Sequence, residues 1–223
     1  MSWRDLLFMH WRIPVGSLRD LVPSALEIDT WEGDAWLGVV PFRMAGVRLR
    51  WLPPLPGLSA FPELNVRTYV TVEDRPGIWF FSLDAASRST VAAARRLFHL
   101  PYHHARMSCR ERGGWIRYES RRTAGDARLA MRYRPAGSER NAAPGSLERF
   151  LVERYCLYAA DRGGGLHRGE IDHAPWTIQD AEAELETHTL PEALGLRLPE
   201  EFPLLHFSRR QDAVAWSVRP VRP

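Results

Sequence analysis

The sequence contains no lysine; all 30 of its basic residues are arginine. That absence excludes a Schiff-base lysine, a phosphate-loop lysine and an ammonium general base, leaving the α-amino group as the only amine. Cysteine is scarce: Cys109 and Cys156 stand alone, with no CxxC spacing, so a reduced, cytoplasmic compartment is the expectation. No apolar run approaches the roughly 20 residues that span a bilayer. The opening MSWRDLLFMHWRI carries an acid and a base too early for a secretion signal and lacks a small-residue cleavage site. No GxSxG, HExxH or glycine-rich dinucleotide or phosphate signature occurs. The expectation is therefore no metal, no cofactor and no membrane partner.

What is present suits a globular protein. In 223 residues, 45% are hydrophobic and 11% aromatic, enough for a sizeable core. The arginines are dispersed among 27 acidic residues, and the net charge is only +3. Even the densest stretch, Arg106 to Arg134, includes Glu111, Glu119 and Asp126. Nucleic-acid binders concentrate basic charge on one face, so no nucleic-acid partner is expected.

A two-residue hydrophobic period dominates the chain. It predicts strands over Leu6–Ile13, Leu26–Thr30, Ala35–Met44, Glu63–Val72, Ile78–Asp84, His103–Glu111, Trp115–Arg122 and Ala127–Arg134. Later strands are predicted over Cys156–Ala160, Gly169–Ile178, Leu204–Ser208 and Ala213–Val218. Turn residues at 31–34, 73–77 and 112–114 suit hairpins. Helices are predicted over Val15–Leu21, Thr90–Phe98 with Ser89 as N-cap, and Leu147–Tyr155 with Ser146 as N-cap. Arg149 and Glu153 are spaced as an i, i+4 pair on the last. Two loops stand out. Trp51 to Ala60 is proline-rich yet apolar, and is expected to fold over a pocket mouth; Pro135 to Gly145 reads as a mobile surface loop. Consecutive antiparallel hairpins in one domain, 1–223, suggest a barrel or sandwich of α+β class.

Several segments in order are familiar: FMHWRIP, LEIDTWEGDAWLGVVPF, PELNVRTYV, GIWFFSLDA, ARRLFHLPYHHA, GSLERFLVERYCLY and HAPW. Together they resemble the YqjF-like family of uncharacterised bacterial proteins, over nearly the whole chain. The resemblance implies the acetoacetate decarboxylase-like fold, an antiparallel β-barrel-like domain with a small cavity and a few peripheral helices. Related barrels assemble, which carries over a homo-oligomer as a candidate state, though nothing in the sequence sets a symmetry. The fold's named enzyme uses a pocket lysine, activated by a second, after a helix arginine and a proline. Tyr102 and His103 stand there in this sequence, after Arg95, Arg96 and Pro101, so a lysine-type acetoacetate decarboxylase is excluded. The enzyme's pocket glutamate matches a strand like the one that holds Glu63.

The phase of 63–72 supplies further candidates. Leu64, Val66, Val70 and Val72 share one face; Glu63, Asn65, Arg67 and Tyr69 share the other. That polar face is either the solvated side of an edge strand or the floor of a polar lumen, and the resemblance favours the lumen. Glu63 and Arg67 lie about 13 Å apart along such a strand, too far to pair directly. His103 is in phase with Ala105, Met107 and Cys109, as a core histidine or as a cavity acid or base. Tyr102 is placed to donate to a ligand carbonyl or carboxylate. Arg95, by resemblance, turns inward to grip a carboxylate. His10 lies in an apolar strand, as core or as cavity lining. His173 is expected to serve a Pro-Trp turn. Two functions follow. One is binding of a small organic acid or carbonyl compound by Arg67, Arg95, Asn65, Tyr69 and His10. The other is lysine-free decarboxylase-, hydratase- or isomerase-like chemistry on Glu63 with His103 or Tyr102. A barrel filled by side chains is the alternative to both.

Overall fold

A computed structural model describes residues 1–47 and 60–221. The apolar loop expected over Trp51 to Ala60 falls, but for Ala60, outside the described residues. The chain is built mainly of strands: β1 (Ser2–Ile13), β2 (Glu27–Ile28), β3 (Ala35–Ala45), β4 (Phe61–Val72), β5 (Arg75–Ala85), β6 (Tyr102–Arg112), β7 (Trp115–Arg122), β8 (Arg128–Asn141), β9 (Cys156–Ala160), β10 (Leu166–His173), β11 (Thr177–His188), β12 (Leu204–Ala215) and β13 (Arg219–Pro220). Three short α-helices interrupt them: α1 (Val15–Arg19), α2 (Arg88–Leu97) and α3 (Leu147–Val152). No helix among the described residues is long and apolar enough to cross a membrane.

The strands form one sheet in the order β13-β10-β9-β5-β6-β7-β8-β11-β12-β1-β3-β4-β2, with further pairings of β10 with β12 and of β5 with β4. The pairing therefore returns on itself by two routes. One runs from β5 through β6, β7, β8 and β11 to β12, the other through β9 and β10 to β12. Both share β1, β3 and β4. Because chain crosses both faces of these strands, alternate side chains enter two different cores. Leu7, Met9, Leu37, Leu64 and Val66 join the first core with Tyr118, Met131 and Tyr133. Phe8, Trp36, Phe42 and Tyr69 join the second with Leu83, Leu151, Leu157 and Trp176.

Two predicted hairpins form as expected. Glu73 and Asp74, both at positive φ, join β4 to β5, and Gly113 and Gly114 join β6 to β7. Other expectations need correction. The turn at 31–34 closes on itself through a Trp31–Asp34 bridge but joins no hairpin, since β2 and β3 both pair with β4. The arrangement is not wholly antiparallel: β5 pairs in parallel with β6, across the α2 crossover, and with β9. Pro175 splits the strand expected over Gly169–Ile178 into β10 and β11. The expected loop over Pro135 to Gly145 is largely strand, because β8 continues to Asn141 beside β11. Arg132–Glu184, Arg134–Glu182 and Arg140–Asp180 ion pairs bridge those two strands. α2 is capped by Ser87, not Ser89; the Ser87 hydroxyl accepts from the Thr90 N–H. α3 takes the expected Ser146 cap but ends at Val152. Beyond it the Glu153 carboxylate accepts from the Trp176 backbone N–H at 2.8 Å instead of pairing with Arg149.

Candidate functional site

β4 is flanked by β3 and β5 and covered on both sides, so its polar face meets no solvent. Glu63, Asn65, Arg67 and Tyr69 are 2%, 8%, 7% and 0% exposed. The solvated-edge alternative therefore does not apply to this strand. The four side chains form a buried polar stripe that runs through the second core, from Tyr102 at one end to His10 at the other.

At the first end, the Tyr102 hydroxyl donates to Glu63 Oε2 at 3.2 Å. Burial pushes the Glu63 carboxyl up to about 8, held back by hydrogen bonds from Tyr102 and Asn65. Glu63 is therefore mostly protonated at neutral pH. Burial, and then the Glu63 charge and hydrogen bond, hold the Tyr102 phenol well above its ordinary value, so it stays a donor. Tyr118 fixes the backbone beneath by donating to the Glu63 carbonyl at 2.6 Å.

At the other end, Tyr69 donates to the Leu151 carbonyl at 2.8 Å, and Arg67 Nη2 reaches the same oxygen at 3.4 Å. His10 Nε2 sits 2.6 Å from the Tyr69 oxygen. The phenol's single proton goes to Leu151, so His10 Nε2 carries the proton in this pair. Burial first, then Arg67 and His206, keeps His10 well below its ordinary value and neutral. Its Nδ1 is left as a buried acceptor without a partner among the described residues. Leu151 presents its carbonyl because α3 ends one residue later, where helical carbonyls lose their intrahelical partners.

Arg67 occupies the middle of the stripe. Its guanidinium packs over Phe8 and Tyr69, with the carbon centre 5.5 and 5.8 Å from the ring centroids. Among the described residues it has no carboxylate partner, and its Nε has no acceptor. Gly38 on the neighbouring strand permits this packing, since a Cβ there would stand 3.2 Å from Arg67 Cγ and 3.3 Å from the His10 ring. Beside Arg67 lies a cavity of about 50 Å³, walled by Asn65, Arg67, Arg154, His173, Trp176 and apolar side chains that include Trp3, Phe8 and Phe42. That volume holds at most a few waters. Glu63 is not on the wall; it stands behind Asn65. The cavity expected over Glu63 and Arg67 is thus floored by Asn65 and Arg67.

Three expected site residues lie elsewhere or play other parts. His103 is on the opposite face of β6 from Tyr102, half-buried near Arg122. Burial, then the charges of Arg122 and Arg95, lower it to about 4. It therefore does not partner Glu63, and Tyr102 does. Arg95 is exposed, and its Nε donates to the Tyr102 carbonyl at 2.6 Å, so it does not turn inward to grip a ligand. His10 lies behind Arg67 and Tyr69, not on the cavity wall.

Sequence reasoning missed Arg154, Trp3, Trp176 and the place of His173. Arg154 lies two residues past the end of α3, with its side chain buried. It pairs with Asp29 at 2.6 Å and packs 4.9 Å from the Tyr69 ring. His173 presents Nδ1 to the Ala174 carbonyl at 2.8 Å and Nε2 to the Arg154 carbonyl at 3.3 Å. Trp176 stacks on Trp3 at 5.8 Å between centroids. A His-Ala-Pro-Trp turn, read only as a turn, thus supplies part of the wall. Among the described residues no group of three or more His, Cys, Asp or Glu could hold a metal ion.

Known proteins place these features in a family. The chain is 47% identical to the uncharacterized protein YqjF of Bacillus subtilis over 219 residues, covering 98% of this chain and 90% of that one. Among solved structures it is similar to the enduracididine biosynthesis enzyme MppR, with TM-score 0.69, 12% identity, and coverage of 99% of this chain and 86% of that one. MppR is also known in complex with pyruvate, at TM-score 0.67, 12% identity, and coverage of 98% and 88%. Acetoacetate decarboxylase from Legionella pneumophila matches at TM-score 0.64 and 12% identity, over all of this chain and 88% of that one. Those likenesses show an acetoacetate decarboxylase-like fold. Residues 1–212 match DUF2071, described as an uncharacterized conserved protein family, and the chain belongs to that family.

Proposed function

We propose that the protein binds a small organic acid or carbonyl compound inside a barrel-like β-structure, with Arg67 as the anion-binding group. The observation that carries this is the Arg67 guanidinium, buried against a cavity with no carboxylate partner among the described residues. An unpaired buried charge costs several kcal/mol, about what an incoming anion would offset. A two-pronged guanidinium contact suits a carboxylate. The likeness in fold to a protein known with bound pyruvate supports a small carboxylate as the ligand class. The tight volume means that anything beyond a few heavy atoms enters only with movement of the Trp3–Trp176 wall. The test is calorimetric titration with acetate, glycolate and pyruvate on the wild type and on Arg67→Met. Binding of at least one of the three is expected, weakened at least tenfold in the variant. No binding of any, or equal binding by both proteins, would refute the reading.

A second reading rests on Glu63. A carboxyl pushed up to about 8 and held by Tyr102 suits lysine-free acid/base catalysis such as decarboxylation, hydration or isomerisation, once the Asn65 side chain between it and the cavity moves aside. With no lysine in the chain, this chemistry runs without a Schiff base. Under this reading Glu63→Gln abolishes turnover and leaves ligand-induced stabilisation intact. Equal loss of both would favour simple binding.

A further inference from the structure

We propose that the outer face of β6, β7 and β8 is a docking surface for the backbone of duplex DNA, recognised by charge and not by sequence. The stretch from Arg106 to Arg134 is balanced along the chain, with Glu111, Glu119 and Asp126 among its arginines. Folding sorts those charges. Alternation puts Glu111 on the other face of β6, in phase with Met107 and Cys109, where it lies 3.9 Å from Arg209. Asp126 stands in the turn before β8, and only Glu119 shares the outer face. Dispersal along the sequence is therefore not dispersal in space.

The arginines come into register. Arg106, Arg121 and Arg128 stand directly opposite one another across the three strands, and so do Arg110, Arg117 and Arg132. All six are exposed. Like charges directly opposite each other weaken a sheet, and these two rows stack four such pairs. Part of the charge is answered locally. Arg117 pairs with Glu119 and Glu186, Arg132 with Glu184, and Arg128 lies 4.0 Å from Asp126. Among the described residues, Arg106, Arg110, Arg112 and Arg121 have no ion pair. Four cations thus stand free on one face of a chain whose net charge is only +3. None of them belongs to the cavity at Arg67.

The two rows lie four residues apart on every strand, about 13 Å, and each spans about 10 Å across the strands. Duplex DNA presents a line of phosphates on either side of a major groove about 12 Å wide. One row can face each line, and the guanidinium fork suits phosphate oxygens. The outer face offers little else. Its one large aromatic side chain, Trp115, packs under the guanidinium groups of Arg132 and Arg134, each 4.6 Å from the ring centroid. That leaves no wedge for a bilayer, no platform for unpaired bases and no apolar anchor for a protein partner. Charge at the spacing of a duplex remains, and binding through it is driven by release of counterions.

The experiment is fluorescence anisotropy of a labelled DNA duplex of mixed sequence, titrated with the full chain at neutral pH in about 20 to 150 mM sodium chloride. Four free arginines predict a slope of log K against log salt of about −3.6. Arg106→Gln combined with Arg121→Gln should reduce the slope to about −1.8 and weaken binding at the lowest salt at least about tenfold. That variant should fold, because it relieves a like-charge pair. Arg162→Gln combined with Arg219→Gln removes the same charge from exposed sites on the β9–β10 loop and β13, and should leave the slope unchanged. No binding at the lowest salt, or a slope that the Arg106 and Arg121 changes leave untouched, would overturn the proposal. So would equal affinity for a single strand, for polyglutamate or for phosphatidylserine vesicles. The wild-type salt dependence and these comparisons decide the matter even if a variant does not fold.

Discussion

Replacing Glu63 with glutamine removes a titration while keeping the side chain's size and its ability to accept from Tyr102. The consequence for stability can be worked out with its sign. In the unfolded chain the carboxyl titrates near its ordinary 4.5, and in the folded protein near about 8. Between those values the folded state holds a proton that the unfolded state has lost. Stability from this group is thus fully present below about pH 4.5 and is lost as pH rises through about 8. The separation corresponds to about 5 kcal/mol over the whole titration. His10, His103, His188 and His206 are all lowered, chiefly by burial, so each adds stability as pH rises towards about 6.5. Those contributions are common to wild type and variant and cancel in the difference. Urea denaturation of both proteins from pH 5 to pH 8.5 should therefore show Glu63→Gln gaining on the wild type by about 4 kcal/mol, spread evenly between pH 5 and pH 8 and levelling off above. Parallel profiles would mean that Glu63 is already ionised at pH 5, and the acid/base reading would go with it.

Arg67→Met should leave the unliganded protein equally stable or about 1–3 kcal/mol more stable, because a thioether needs no counter-ion in that core; a loss above 2 kcal/mol in urea denaturation would show that the guanidinium is a structural group. Tyr69→Phe should cost about 1–3 kcal/mol, since it leaves the Leu151 carbonyl and His10 Nε2 without the hydroxyl between them; a neutral result in the same assay would contradict that geometry. Asp84→Ala strips the carboxylate 2.7 Å from Arg122, whose side chain is 9% exposed. About 3–5 kcal/mol of destabilisation is expected, and less than 1 would mean that Arg122 escapes to solvent. Gly77→Ala would place a Cβ 2.7 Å from Tyr158 Cε2 and 2.8 Å from Cys156 Sγ; a drop in melting temperature of several degrees is expected, and an unchanged value would show that β5 and β9 can part without cost.

The sequence exposes the strands whose apolar members are large. β1, β3, β4, β7 and β9 follow from alternation of Leu, Val, Ile, Trp and Tyr. β11 does not, because its inward side chains are largely alanine, as at Ala181 and Ala183, and the strand reads as an acidic run. Its neighbour, the far end of β8, reads as a loop for the same reason, since ion pairs rather than apolar contacts join the two. The polar stripe on β4 is legible from phase alone, for a strand with strong apolar neighbours carries Glu63, Asn65 and Arg67 on one side. Which residue meets Glu63 is not legible. Pro101 resets the chain just before β6, and the choice between Tyr102 and His103 depends on how β6 pairs in parallel with β5. Parallel pairing is set by the α2 crossover and leaves no local signal. Arg154 and Trp176 reach the cavity across a helix end and a turn, contacts between segments that no spacing encodes.

The pairing of β1 with β12 has a consequence for how the chain reaches this state. Met1 and Ala213 exchange backbone hydrogen bonds, with Met1 N to Ala213 O at 3.1 Å and Ala213 N to Met1 O at 2.9 Å. During synthesis the first strand therefore waits for a partner that emerges from the ribosome about 200 residues later. At roughly 5–20 residues per second that wait is about 10–40 s, with one edge of β1 open throughout. Asp5, at positive φ within β1 where its register with β3 shifts, carries a buried carboxylate gripped by Arg43 and Arg209. Until Arg209 is made, the same inward charge blunts the strand against pairing with other nascent chains. One residue thus guards the strand while it waits and locks it once the ring has closed.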